Sequence, residues 1–347
     1  MGNMAIRVGV NGFGRIGRNF LRALLAGTAD AGTAVEVAAV NDLTSADMLA
    51  HLLRYDSTHG QLDQEVAVDG QELVVGGRRI RVLAERDPAR LPWKELGVQV
   101  VIESTGRFTD RAAAATHLGA GAERVVISAP AKQADATFVV GVNDDTFDPD
   151  RHHVVSNASC TTNCFVPMVK VLDDAFGVVS GLMTTVHAYT NDQNLLDLPH
   201  SDPRRARAAA VNIVPTSTGA ARATGLVMAS VKGRLDGMSL RVPVPDGSLT
   251  DFTAVVDALP DVDGVNAAFA KAASSPPLAA VLDYTDEPLV SSDIVGRSAS
   301  CTFDAGLTMV QRIDDQRALV KVNGWYDNEW GYANRLVDLT RIVAGAR

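Results

Sequence analysis

Short apolar runs rich in β-branched residues, each closed by Gly, Asn, Ser or Pro, punctuate the first 150 residues at 6–10, 35–40, 98–102, 125–127 and 138–142. Such continuous runs suit strands buried on both faces of a parallel sheet. Between them, 16–26, 47–53 and 111–120 carry apolar residues at helical spacing, as Met48, Leu49, Leu52 and Leu53 illustrate. Alternation of strand and helix predicts an α/β doubly wound sheet. The runs 73–75 and 80–82, joined at Gly76-Gly77, predict a hairpin inserted into it.

Past Cys160 the pattern changes. Phe165, Met168, Val169 and Leu172 mark one face of a helix, and longer strand candidates follow at 182–187, 240–244, 253–256, 308–313 and 318–322. This half predicts an α+β arrangement, a mixed and largely antiparallel sheet with helices on one face. The loop 199–218 is polar and dense in arginine, with Arg204, Arg205 and Arg207. Trp330, Ala333, Leu336, Val337 and Val343 fall on one side of a closing helix. With no repeat, low-complexity tract or long linker, two domains are expected: 1–159 completed by 328–347, and 160–327. A chain of 347 residues lets each bury its own core.

A formal net charge of −9 argues against nucleic acid or an anionic membrane as partner, so any phosphorylated substrate must meet a local concentration of arginine. Three cysteines make no disulfide framework, and no window approaches the roughly 18 apolar residues of a membrane span. Residues 1–6 lack the features of an export signal, and Ile6 stands where a myristoylation signal on Gly2 needs Ser or Thr. A cytoplasmic protein is expected.

Gly12-Phe13-Gly14-Arg15-Ile16-Gly17 lies directly after a strand and opens a helix. Gly12 permits the tight turn, Gly14 close approach of backbone to a pyrophosphate, and Gly17 packing of helix on strand. The pyrophosphate rests on the helix N-terminus, at the N–H groups near Arg15 and Ile16. Asp42 ends the second strand, where an acid binds the adenosine ribose hydroxyls and repels a 2′-phosphate, so NAD is expected over NADP. Arg86 and Ser128 lie at strand-end loops of the same Rossmann-type domain and join the candidate cofactor set.

Cys160 sits in Ser156-Asn157-Ala158-Ser159-Cys160-Thr161-Thr162-Asn163-Cys164, between a strand-like and a helical stretch, and His187 follows 27 residues later. A thiol at a helix N-terminus is expected to favour its thiolate, the nucleophilic form. His187 can serve as its base, and the Cys160 backbone N–H can help hold an oxyanion. Cys160 and Cys164 stand one helical turn apart, but without a paired second half no zinc site is expected.

These segments resemble the phosphorylating glyceraldehyde-3-phosphate dehydrogenase family, and the resemblance covers nearly every residue. Asn11-Gly12-Phe13-Gly14-Arg15-Ile16-Gly17-Arg18 looks like its opening turn, and the Ser156–Cys164 segment is similar to its nucleophile signature. Thr185-Val186-His187-Ala188-Tyr189-Thr190 resembles the segment carrying its base. Trp325-Tyr326-Asp327-Asn328-Glu329-Trp330-Gly331-Tyr332 resembles its cofactor-binding tail. The resemblance implies Cys160 as nucleophile, His187 as base and Asn328 at the nicotinamide carboxamide. It implies that Ser159, Thr161, Thr190, Arg205, Thr218, Gly219 and Arg241 hold two phosphates, one on glyceraldehyde 3-phosphate and one inorganic. It further implies a homotetramer, with the 199–218 loop lining neighbouring cofactor sites.

Arg222, Pro203, Asp246, Gly247 and Gly324 depart from the family's common pattern, in which Asn often holds position 246 and Ser position 324. The nearest rival is the sister erythrose-4-phosphate dehydrogenase, although Asp42 with Leu43, the 104–108 run and Tyr326 resemble the triose enzyme more. A non-catalytic scaffold of the same fold is a second alternative, against which the intact Cys160 and His187 pair argues.

Overall fold

The computed structural model of the chain describes residues 5–27 and 34–345. Most of the opening stretch read above for export and acylation signals, residues 1–4, lies outside the described residues. The chain separates into two compact units, one of Met1–Phe138, Asp144–Ala158 and Ala333–Arg347, the other of Val139–Asn143 and Ser159–Tyr332.

In the first unit the strands are β1 (Ile6–Asn11), β2 (Val35–Asn41), β3 (Tyr55–Asp56), β4 (Gly60–Gln61), β5 (Val66–Asp69), β6 (Glu72–Val75), β7 (Arg78–Leu83), β8 (Val100–Glu103), β9 (Arg124–Ile127), β10 (Ala136–Thr137) and β11 (Val154–Ser156). All but the small β3–β4 pair form one sheet in the order β10-β11-β9-β8-β1-β2-β7-β6-β5. From β10 to β7 neighbours run parallel, and β5 and β6 add an antiparallel edge. The expected hairpin thus has a third strand. Helices α1 (Arg15–Ala26) and α2 (Ala46–Arg54) follow β1 and β2. Gly27 ends α1 in the left-handed conformation, φ 65°, and the Ser45 side chain caps α2.

Two expectations need correction. The single helix read at 111–120 is two turns, α3 (Arg111–Ala114) and α4 (Thr116–Gly119), because the N–H of Leu118 donates to the carbonyl of Ala115 instead of continuing the i to i−4 ladder. The strand read at 138–142 is a turn. Gly141 takes φ 83°, and the Asn143 side chain accepts the Val139 N–H that a strand would have offered its neighbour. Strand pairing there is made by β10 and β11 instead.

The second unit holds β12 (Val178–Ala188), β13 (Val214–Ser217), β14 (Leu235–Val242), β15 (Ser248–Val256), β16 (Leu282–Thr285), β17 (Cys301–Asp304), β18 (Met309–Arg312) and β19 (Ala318–Tyr326). Its sheet runs β13-β14-β12-β15-β19-β17-β16, with β18 added on β19, and is mixed but mainly antiparallel. Helices α5 (Cys160–Phe176), α6 (Ala220–Val227) and α7 (Val262–Ala273) accompany it. Phe165 of α5 meets Phe252 of β15 edge to face at 4.8 Å, an apolar anchor for the helix on the sheet. The chain closes in α8 (Trp330–Val343). No helix among the described residues is long and apolar enough to cross a membrane.

Candidate active site

Sheet order reverses direction at β1, flanked by β2 on one side and β8 on the other. At such a switch point the loops after neighbouring strands diverge and leave a crevice at their C-terminal ends. A Cβ on Gly12 would stand 2.6 Å from the Thr105 nitrogen, and one on Gly17 would stand 2.3 Å from the Gly12 carbonyl, so both positions demand glycine. Gly14 differs: nothing in the protein lies within 4 Å of where its Cβ would be. That open space, at an α1 N-terminus with no side-chain cap and no acid in its first turn, fits an approaching pyrophosphate. The Arg15 side chain is committed to Asp56 by two bonds of 2.9 and 3.1 Å, which leaves Arg15 and Ile16 to act through backbone N–H.

Asp42 stands at the end of β2, where its Oδ2 accepts the Phe13 N–H at 2.9 Å and ties the glycine turn to the candidate ribose site. Ser128 follows β9, its N–H donating to the Glu103 carbonyl, and Arg86 is exposed on the loop after β7. Sequence reasoning missed Ser104, whose Oγ donates to the Gly12 carbonyl at 2.7 Å and clamps the turn.

In the second unit, topology gathers side chains that are far apart in sequence. Parallel pairing of β12 with β14 sets His187 opposite Arg241, and antiparallel pairing of β15 with β19 sets Ser248 opposite Tyr326. Cys160 is the first residue of α5 and follows Ala158, which adopts φ 56°, a strained setting for a residue with a Cβ. Cys160 Sγ lies 3.4 Å from His187 Nε2. His187 Nδ1 sits 2.7 Å from the Ala188 carbonyl, which can only accept. Nδ1 therefore carries the proton, and the Nε2 lone pair faces the sulfur.

Tyr326 orders this pair. Its buried hydroxyl joins Thr161 Oγ1 at 2.9 Å and Thr185 Oγ1 at 2.7 Å, and its ring meets His187 edge-on at 5.9 Å. Sequence reasoning used Tyr326 only as a mark of resemblance; a tyrosine with two hydroxyl partners is legible only in three dimensions.

Burial acts against the thiolate expected of a helix N-terminus. Cys160 keeps partial solvent access, yet dense packing pushes its thiol up to about 11, against the opposing pull of Arg241 and the Thr161 N–H. Burial also drives His187 down to about 3, with Arg241 adding to the effect. Desolvation thus disfavours the charged form of both partners.

The candidate phosphate residues fall into distinct settings. Arg241 Nη1 donates to Thr190 Oγ1 at 2.9 Å. Arg205 is held by Thr216 at 2.9 Å and by Asp192, and its charge, like that of Arg241, reaches His187. Thr218 and Gly219 precede α6, whose N-terminus has no side-chain cap. Ser159 Oγ caps α5 by accepting the Thr162 N–H at 3.0 Å, a role that leaves its own O–H to donate. The Thr161 hydroxyl is likewise turned to Tyr326. Asn328 Oδ1 accepts from Ser248 Oγ at 2.6 Å, which fixes the orientation of its amide. Arg204 is exposed, and Arg207 pairs with Asp197 at 3.0 Å on the surface.

A switch-point crevice with an uncapped, glycine-lined helix start belongs to the class of NAD-dependent oxidoreductases. Comparison with known proteins narrows this. Residues 159–328 match the family model described as glyceraldehyde 3-phosphate dehydrogenase, C-terminal domain, and residues 6–111 match the model of its NAD binding domain. The chain belongs to the glyceraldehyde-3-phosphate dehydrogenase family, and its cofactor is NAD. It is 59% identical over 340 residues to glyceraldehyde-3-phosphate dehydrogenase of Streptomyces coelicolor, covering 98% of this chain and 99% of that one. It is 60% identical over 346 residues to the Mycobacterium tuberculosis protein of the same name, at the same coverage. Against that of Geobacillus stearothermophilus it is 58% identical over 341 residues, again covering 98% and 99%.

Proposed function

We propose that the chain oxidises D-glyceraldehyde 3-phosphate to 1,3-bisphosphoglycerate with reduction of NAD, through a covalent intermediate on Cys160. The observation that carries the covalent route is the 3.4 Å approach of Cys160 Sγ to an imidazole nitrogen with its lone pair turned to the sulfur. As the sulfur bonds to the aldehyde carbon, its proton passes to His187 Nε2, and Thr161 N–H and the Arg241 charge favour the developing anion. The imidazolium returns that proton to the oxyanion to give the hemithioacetal, and Nε2, neutral again, takes it back as the carbon is oxidised. NAD, when bound, supplies the acceptor for the hydride that leaves carbon. A thioester remains on Cys160. An oxygen of inorganic phosphate then attacks the acyl carbon, the C–S bond breaks, and the released thiolate is reprotonated from His187.

Arg241 with Thr190, Arg205, and the start of α6 at Thr218 and Gly219 are the proposed oxyanion holders, since guanidinium forks suit phosphate. Ser159, which also caps α5, and Thr161, which also braces Tyr326, complete the proposed phosphate-binding set. Gly12, Gly14, Gly17, the N–H groups of Arg15 and Ile16, Asp42, Arg86 and Ser128 make up the proposed cofactor set, with Asn328 for the carboxamide. Residues 1–159 with 328–347, and 160–327, are the proposed domains. Exposed Leu195, Leu196, Leu198, Val211 and Ile213 around the arginine-rich loop support a homotetramer, testable by light scattering. Three unpaired cysteines fit a cytoplasmic setting.

The test is NADH formation from glyceraldehyde 3-phosphate with and without phosphate, run beside Cys160→Ser. Phosphate dependence and abolished turnover with retained NAD binding are expected. Persistent turnover in the serine variant removes the covalent route.

A further inference from the structure

Beneath the cofactor loops lies a chain of buried polar side chains that none of the roles above uses. Trp93, His117, Glu103, Asn11 and Asn41 are each at most 5% exposed. The Trp93 Nε1–H can only donate, and it reaches His117 Nδ1 at 3.0 Å. His117 is therefore neutral with its proton on Nε2, which stands 3.0 Å from Glu103 Oε2 and donates to it. The same oxygen accepts from Asn11 Nδ2 at 2.6 Å. Glu103 Oε1 accepts both the N–H of Thr105, at 2.9 Å, and its hydroxyl. Asn11 Oδ1 accepts from Asn41 Nδ2 at 2.7 Å, and Asn41 in turn exchanges two bonds of 2.8 Å with the backbone of Glu85.

Asn11, Asn41 and Glu103 are the last residues of β1, β2 and β8. They lead directly into the glycine turn, the Asp42 loop and the Ser104-Thr105 loop, and Glu85 adjoins Arg86. One buried carboxylate thus joins the elements that line the crevice, held among the described residues by four donors and no cation. A buried, fully satisfied polar network favours one geometry, because each slipped arrangement strands a donor or an acceptor. Removing one donor from a buried carboxylate is costly for the same reason.

We propose that His117 and Glu103, set in tautomer and orientation by Trp93, are positioning residues for NAD: they hold the loop geometry that the cofactor meets, without touching the chemistry. The proposal rests on the assignment of NAD to the first unit. If it holds, changes far below the crevice alter cofactor affinity and leave the thiol site alone.

The experiment uses the full chain and titrates NAD by calorimetry, alongside steady-state kinetics, for His117→Leu, His117→Gln and Trp93→Phe. His117→Leu, which removes the donor to Glu103, is expected to weaken NAD about tenfold, equivalent to ~1.4 kcal/mol. KM for NAD should rise in parallel, with kcat at saturating NAD within about twofold and KM for the aldehyde unchanged. His117→Gln, which can still donate, should keep NAD within about threefold of the parent. A lowered Tm with unchanged NAD affinity in His117→Leu would reduce the network to a structural role and overturn the proposal. So would a fall in kcat with affinity retained. Should His117→Leu not fold, Trp93→Phe decides: several-fold weaker NAD supports positioning, and unchanged affinity overturns it. Failure of the unsubstituted chain to bind NAD would instead count against the cofactor assignment.

Discussion

Replacing His187 by Asn removes the lone pair that faces Cys160 Sγ at 3.4 Å while leaving a side chain of similar polarity. In the parent the thiol need not ionise into solvent, because its proton has an acceptor in place. In the variant, attack must draw on whatever thiolate exists already. With the thiol pushed up to about 11, roughly one sulfur in 10⁴ is ionised at pH 7. The expected loss in kcat/KM at that pH is therefore about 10³–10⁴-fold, in the range found when a general base is removed. The loss should also have a shape. Between pH 7 and pH 9 the variant's rate should climb by about tenfold per unit as thiolate accumulates, while the parent climbs less steeply. Two assays read this independently: NADH formation at saturating phosphate, and alkylation of Cys160 by iodoacetamide followed by mass spectrometry. A loss smaller than about tenfold, with an alkylation rate indifferent to pH, would mean that the sulfur is already a thiolate and that burial does not govern the site.

Three further outcomes are expected. Asp246 is buried beside Asp327 and Glu329, and burial first, then their charge, raises its carboxyl to about 9. A raised acid holds its proton in the folded state, so its contribution is complete at acid pH and drains away as pH climbs towards that value. Asp246→Asn should therefore raise Tm at pH 8 and lose that advantage near pH 4; an equal shift at both would refute the titration. A Cβ at Gly324 would lie 2.6 Å from both Cys301 Sγ and Met168 Sδ, so Gly324→Ser, although it restores a common family residue, should cost about 1–3 kcal/mol by denaturant melts. Adding Cys301→Ala should recover part of it, since Met168 Sδ stands equally close, and an undiminished deficit would point elsewhere. Asp42→Ala should raise KM for NAD about tenfold and narrow the gap between NAD and NADP; an unchanged ratio of kcat/KM for the two cofactors would remove Asp42 from the ribose site.

The order of strands and helices in the first unit was legible because buried parallel strands write themselves as unbroken apolar runs, and because Gly12, Gly14 and Gly17 carry a stereochemical requirement that other residues cannot meet. Misreadings fell where local pattern is ambiguous. Phe138 and Val139 look like a strand, but the Asn143 side chain and the left-handed Gly141 divert the backbone.

By itself the sequence determined the fold class and the NAD cofactor, and it singled out Asp42, Cys160 and His187 as candidates, because all of these readings depend on residue type and near-neighbour spacing. Tertiary structure decided the rest. Only strand register sets His187 opposite Arg241, and only the Ala188 carbonyl selects the tautomer. Only packing sets the desolvation that opposes charge on Cys160, because the energy of a charge depends on everything around it and not on the residues beside it in the chain.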